Sequence, residues 1–124
     1  MGLQPKNLDA LYGLGLVAKS KGDMDNMMKY MDLVVEYGSA NPDNAKDVQN
    51  AQSAASVALL NEAAKALQNK NGQSAITFIN NSFQYAPGDA DAYYNLSLAY
   101  YMNKEWDNSI EAANKALELK EGDK

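Results

Sequence analysis

The sequence predicts an all-α fold assembled from helical hairpins, and two stretches carry that prediction. Between Ala90 and Leu119, Tyr93, Leu96, Ser97, Tyr100 and Tyr101 recur at helical spacing, Asn103-Lys104 interrupts them, and Ser109, Ile110, Ala113, Ala116 and Leu117 resume the pattern. Upstream, Ala45, Val48, Gln52, Ala55 and Leu59 hold one helical register with no breaker before Asn69. Two amphipathic helices joined by so short a break must run antiparallel. Small side chains at Ser97, Ser109, Ala113 and Ala116 then let the backbones approach, while Tyr93, Leu96 and Tyr100 fill the space between.

An aromatic at Tyr93, the Leu96-Ser97 pair, a second aromatic at Tyr100 and small residues along the following helix closely resemble one tetratricopeptide (TPR) repeat. The resemblance implies a right-handed α-solenoid in which each hairpin buries its apolar face on a neighbour, so the rest of the chain should follow the same plan. Its period of about 34 residues moves Ser97 onto Ala63, Ser109 onto Ala75 and Ala116 onto Ser82, small onto small each time. A third copy begins the chain. There Leu11, Leu14, Gly15 and Ala18 match the first helix, Gly22-Asp23 marks the turn, and Met27, Met31 and Val34 take the contact positions. Three hairpins follow, with helices expected near 7–20, 23–38, 43–69, 73–85, 89–102 and 105–120. They form one domain over 1–124, with repeats at about 8–40, 43–88 and 89–122.

Each element departs from regularity somewhere. Gly15 to Ala63 spans 48 positions, 14 more than the 34 from Ala63 to Ser97. The surplus lies in SANPDNAKDVQNAQ, where Asn41 suits a cap, Pro42 a first helical position, and Asp43 and Asp47 the positive end of a helix dipole. It predicts one long first helix in the second hairpin, extended by about 20 Å at 1.5 Å per residue; a separate helix over 43–53 is the alternative. Met27 is bulky where a small residue is usual, and Met31 shares its face. Met24 and Met28 are left as candidates for an exposed contact. Glu62 stands where the pattern expects Leu, which suggests a register slip of about one residue. Trp106 aligns with a packing aromatic, and Pro87 ends the fourth helix. Asn7, Asn41, Asn44, Asn69, Asn71 and Asn103 cluster at expected helix ends.

Composition excludes several function classes. The 124 residues carry no Cys and no His, which removes disulfides, thiolate chemistry, most zinc sites and the commonest general base. Asp23, Asp25 and Asp32 fall where a helix start and its exposed face place acids, so no metal and no cofactor is expected. Net charge is −5 and all 11 basic residues are Lys, scattered among acids, which argues against nucleic acid. No apolar run approaches the roughly 18 residues of a membrane span. MGLQPKNLDA lacks a secretory pattern, and Lys6 stands where myristoylation needs Ser or Thr. The expectation is a soluble chain of undetermined compartment. With no nucleophile, acid and base constellation in view, it is not expected to be an enzyme.

In TPR proteins the first helices of successive repeats line a concave groove that binds peptides. The resemblance places Tyr12 and Leu16 there from the first repeat, Leu60, Asn61 and Ala64 from the second, and Asp91, Tyr94, Asn95, Leu98 and Tyr101 from the third. That surface is apolar and aromatic with amide donors, suited to burying a partner's side chain while holding its backbone. The family's carboxylate clamp for chaperone tails needs Lys, Asn, Asn, Lys and Arg at positions held here by Tyr12, Leu16, Asn61, Asp91 and Asn95. Only Asn61 matches, and Asp91 reverses a required charge. The expected function is a non-catalytic scaffold that binds a protein or peptide. The alternative is a structural spacer or self-associating segment of a longer array. Family arrays commonly close with a solvating helix, whereas KEGDK follows the third hairpin directly. Ile110, Ala113 and Leu117 should then lie uncovered, as in an excised fragment or a homodimer sealed through that C-terminal face.

Overall fold

Left-handed turns at equivalent places fold the chain into three helical hairpins. The computed structural model describes residues 7–122, with side chains as far as Lys120. The opening six residues, read above for targeting signals, and the final two lie outside the described residues. Helix α1 (Leu8–Ser20) pairs with α2 (Met24–Gly38), α3 (Ala45–Gln68) with α4 (Gly72–Ser82), and α5 (Ala90–Met102) with α6 (Trp106–Gly122). Among the described residues the fold is all-α, with a single 3-10 turn at Pro42–Asn44. Packing separates two compact units, Met1–Ala58 and Leu59–Lys124, and α3 runs unbroken through the division.

The turns repeat in detail. Gly22, Lys70 and Lys104 have φ of 76°, 60° and 62°, and they are spaced by the same 48 and 34 positions that separate Gly15, Ala63 and Ser97. After each, a backbone N–H reaches back five residues: Asp23 to the Ala18 carbonyl at 2.9 Å, Asn71 to Ala66 at 2.8 Å, and Glu105 to Tyr100 at 2.9 Å. This is the Schellman closure, which satisfies carbonyls that a helix end would otherwise leave unpaired. The residue that closes one helix then starts the next. The Asp23 carboxylate accepts from the Asn26 N–H and the Asn71 amide oxygen from the Ser74 N–H, both at 3.1 Å. Asn7 and Asp89 cap α1 and α5 in the same way.

The long first helix of the second hairpin is one α-helix, as the absence of breakers predicts, and not two. Asn41 caps the 3-10 turn that leads into it, accepting from the Asp43 N–H at 2.9 Å. Helix α4 stops at Ser82, three residues short of the expected 85. The buried Ser82 hydroxyl donates to the Ile79 carbonyl at 2.6 Å, and the N–H groups of Phe83, Gln84 and Tyr85 bond three residues back instead of four. The chain tightens and leaves the helix before Pro87.

In the first unit Met27, Met31 and Val34 are fully buried, and Ala18 and Gly15 lie under them on α1. Met24 is buried as well, which removes it as a candidate for an exposed contact, and Met28 is half-buried. In the second unit Ala63 and Ala66 of α3, Ala75, Ile76 and Ile79 of α4, Leu96 and Ala99 of α5 and Ala112 of α6 make one core. Glu62 requires no register slip: Ala63 is buried as Ser97 is, and the Glu62 carboxylate reaches the rim to meet the Lys65 ammonium at 3.1 Å. Close approach explains Gly72, where a Cβ would stand 2.7 Å from the Ala99 carbonyl oxygen of α5.

Candidate protein-interaction surface

Helix α5 carries apolar side chains on two opposite faces. Capped by Asp89, it turns Ala92, Leu96 and Ala99 into the core and leaves Asp91, Tyr94, Leu98 and Tyr101 along the opposite stripe. Tyr94 and Tyr101, two turns apart, are 57% and 62% exposed. Phenol rings held that far into water are a large apolar area that the fold itself does not use.

Helix α6 continues this surface. Trp106 meets Tyr101 edge-on, with ring centroids 5.5 Å apart and planes at 65°, so it is half exposed instead of taking the buried packing role expected of it. Ala90, Asp91 and Tyr94 of α5 and Ala113, Ala116, Leu117 and Lys120 of α6 line an open apolar groove of about 460 Å³. The expected tight contact at Ala113 is made by its neighbour: Ala112 enters the core, and Ala113 is half-buried in the groove wall. Neighbouring residues stand about 100° apart around a helix, so Ala112 and Ala113 cannot both face the core.

The positions assigned to a groove fall into three groups. Asp91, Tyr94, Leu98 and Tyr101 share the outward stripe of α5, and Asn95 lies half-buried at its edge. From α3, Asn61 and Ala64 are exposed, whereas Leu60 packs against the core. Tyr12 and Leu16 are half-buried on α1 in the first unit. The structure also presents Trp106, Ile110 and Leu117 as exposed apolar groups. Among the described residues every buried side-chain nitrogen or oxygen has a hydrogen-bond partner, and no group of three acidic, His or Cys side chains could hold a metal ion.

Serial helical hairpins with matching turns, small residues at the crossings and an exposed aromatic stripe define a helical-repeat protein. Tetratricopeptide repeat models match residues 8–38 and 90–123, the first and third hairpins. The chain belongs to the tetratricopeptide repeat family, whose repeats generally mediate protein–protein interaction and are typically non-catalytic. A search among curated proteins finds no match to the chain. No helix among the described residues is long and apolar enough to cross a membrane.

Proposed function

We propose that this protein is a non-catalytic scaffold that holds an extended segment of a partner protein against the aromatic stripe of α5. The observation that carries this reading is the pair Tyr94 and Tyr101, more than half exposed and two turns apart with Leu98 between them. Such a pair can receive two apolar side chains of a partner, while the Asn95 amide bonds its backbone. Asp91 at the end of the stripe favours a Lys or Arg beside those anchors and disfavours a free carboxylate. Asn61 and Ala64 of α3 are the complementary contacts from the preceding first helix. A peptide library screened against the wild type and Tyr94→Ala tests the reading. Loss of a central aromatic anchor weakens binding tenfold or more, which is about 1.4 kcal/mol, whereas helical content stays unchanged because Tyr94 is outside the core. Equal binding by both proteins removes the reading.

A second reading, a self-associating segment of a longer array, is favoured by a separate observation. Ile76 of α4 is 7% exposed, whereas Ile110, 34 residues later on α6, is 60% exposed.

A further inference from the structure

The difference between Ile76 and Ile110 extends along both helices. In α4, Ile76 and Ile79 are buried, and Phe83, just past the helix, stacks on Tyr93 of α5 with ring centroids 4.9 Å apart. Helix α5 therefore covers that stripe. Thirty-four residues on, the same positions are Ile110, Ala113 and Leu117. There Ile110 and Leu117 are exposed, and no described helix lies over them. Position 72, where α5 approaches too closely for any side chain, becomes the half-exposed Trp106 at position 106. The outer stripe of α6 thus reads Trp106, Ile110, Ala113, Leu117, Lys120, with steps of four, three, four and three residues.

We propose that this stripe is the contact between two copies of the chain, packed α6 against α6 antiparallel around a two-fold axis at Ala113. The inference deepens the self-association reading and competes with peptide capture by α5, because Tyr94 and Tyr101 border the contact. Three features point to a second copy. The stripe is self-complementary: with Ala113 at the crossing, Ile110 of each copy falls within one residue, about 1.5 Å, of Leu117 of the other, bulky beside bulky, while the small central residue lets the helices close to ordinary packing distance. Its two ends are also chemically complementary. Antiparallel packing sets the Lys120 ammonium of one copy beside Trp106 and Asp107 of the other, where it gains a cation–π contact and an acid; parallel packing would set ammonium against ammonium.

The third feature is area. Tyr94, Tyr101 and Trp106, each about half exposed, together with Ile110 and Leu117 present on the order of 500 Å² of apolar surface per copy, taking ~200 Å² for an aromatic side chain and about half that for an aliphatic one. That is at the upper end of what a monomer ordinarily shows as one patch. With a polar rim it approaches the ~800 Å² per partner of a stable interface.

The absence of cysteine makes the test direct. Sedimentation of the wild-type chain from micromolar to millimolar concentration should show a monomer–dimer equilibrium that stops at the dimer. Ile110→Glu and Leu117→Glu should each shift the midpoint at least tenfold toward monomer, with helical circular dichroism unchanged. Under mild oxidation Ala113→Cys should form a covalent dimer far faster than Asn80→Cys, which lies on the exposed side of α4, because only residue 113 meets its own counterpart on the axis. A wild-type chain that stays monomeric throughout overturns both the pair and the self-association reading. Growth past the dimer supports an array stacked end to end and overturns the α6 pair. Equal oxidation rates for the two cysteine variants overturn the antiparallel crossing.

Discussion

Ser97 and Ser109 exchange hydrogen bonds across the α5–α6 hairpin in both directions. The Ser97 hydroxyl donates to the Ser109 backbone carbonyl and the Ser109 hydroxyl to that of Ser97, each at 2.9 Å, and the two oxygens lie 3.1 Å apart. The corresponding residues of the preceding hairpin are Ala63 and Ala75, both buried, so the same crossing is also built with no polar group at all.

That pair predicts non-additive stability. Ser97→Ala or Ser109→Ala alone removes one hydroxyl and costs about 1 kcal/mol. The double variant should cost more than the two singles summed, because with both protons given to carbonyls the two hydroxyl oxygens face each other unbonded at 3.1 Å, and each single change relieves an opposition that can be relieved only once. Urea unfolding of the four proteins closes the cycle; strict additivity would mean that the two hydroxyls do not act on each other.

The three turns predict two stabilising substitutions. Gly22 carries its positive φ without strain, but Lys70 and Lys104 hold side chains in the same left-handed conformation, where a Cβ crowds the neighbouring carbonyl. Lys104→Gly and Lys70→Gly should each raise stability by about 1 kcal/mol, and Gly22→Ala should lower it by a similar amount. The check is the denaturant midpoint at constant m-value.

Much of this fold was written locally in the sequence. The breaks at Gly22, Asn71 and Asn103-Lys104, the run without breakers through α3 and the caps at Asn7 and Asn41 are choices of single residues with a direct backbone consequence. The early end of α4 was hidden, because it depends on the buried Ser82 hydroxyl bonding back to Ile79, and a Ser inside a helical pattern does not announce which way its oxygen points. The exposed stripe of α5 was legible through the resemblance to the repeat family, which implies the face that a first helix leaves outward. The inward side of α6 is ambiguous in the sequence, since small residues at both 112 and 113 satisfy the packing pattern, and only the hairpin geometry selects Ala112 for the core. Trp106 shows the same limit: an aromatic residue suits a packing position, but burial requires a neighbouring helix, and α5 supplies one over Gly72 that Trp106 lacks.

The choice of Ala112 over Ala113 for the core gives the sharpest prediction. Ala75 is fully buried between α4 and its neighbours, and Ala112 is nearly so, whereas Ala113 lines the open groove beside Tyr94 and Leu117. Leucine at 75 or 112 has no room without displacing the Ala63, Ile79 and Leu96 cluster, so Ala75→Leu and Ala112→Leu should each lose about 2 kcal/mol or more. Ala113→Leu adds its branches to a groove with space for them and should leave monomer stability within about 0.5 kcal/mol. Thermal unfolding of the three variants at low concentration separates the outcomes. A loss at 113 equal to that at 75 would mean that α6 packs with Ala113, and not Ala112, toward α5. The outward stripe of Ile110 and Leu117 would then have to turn with it.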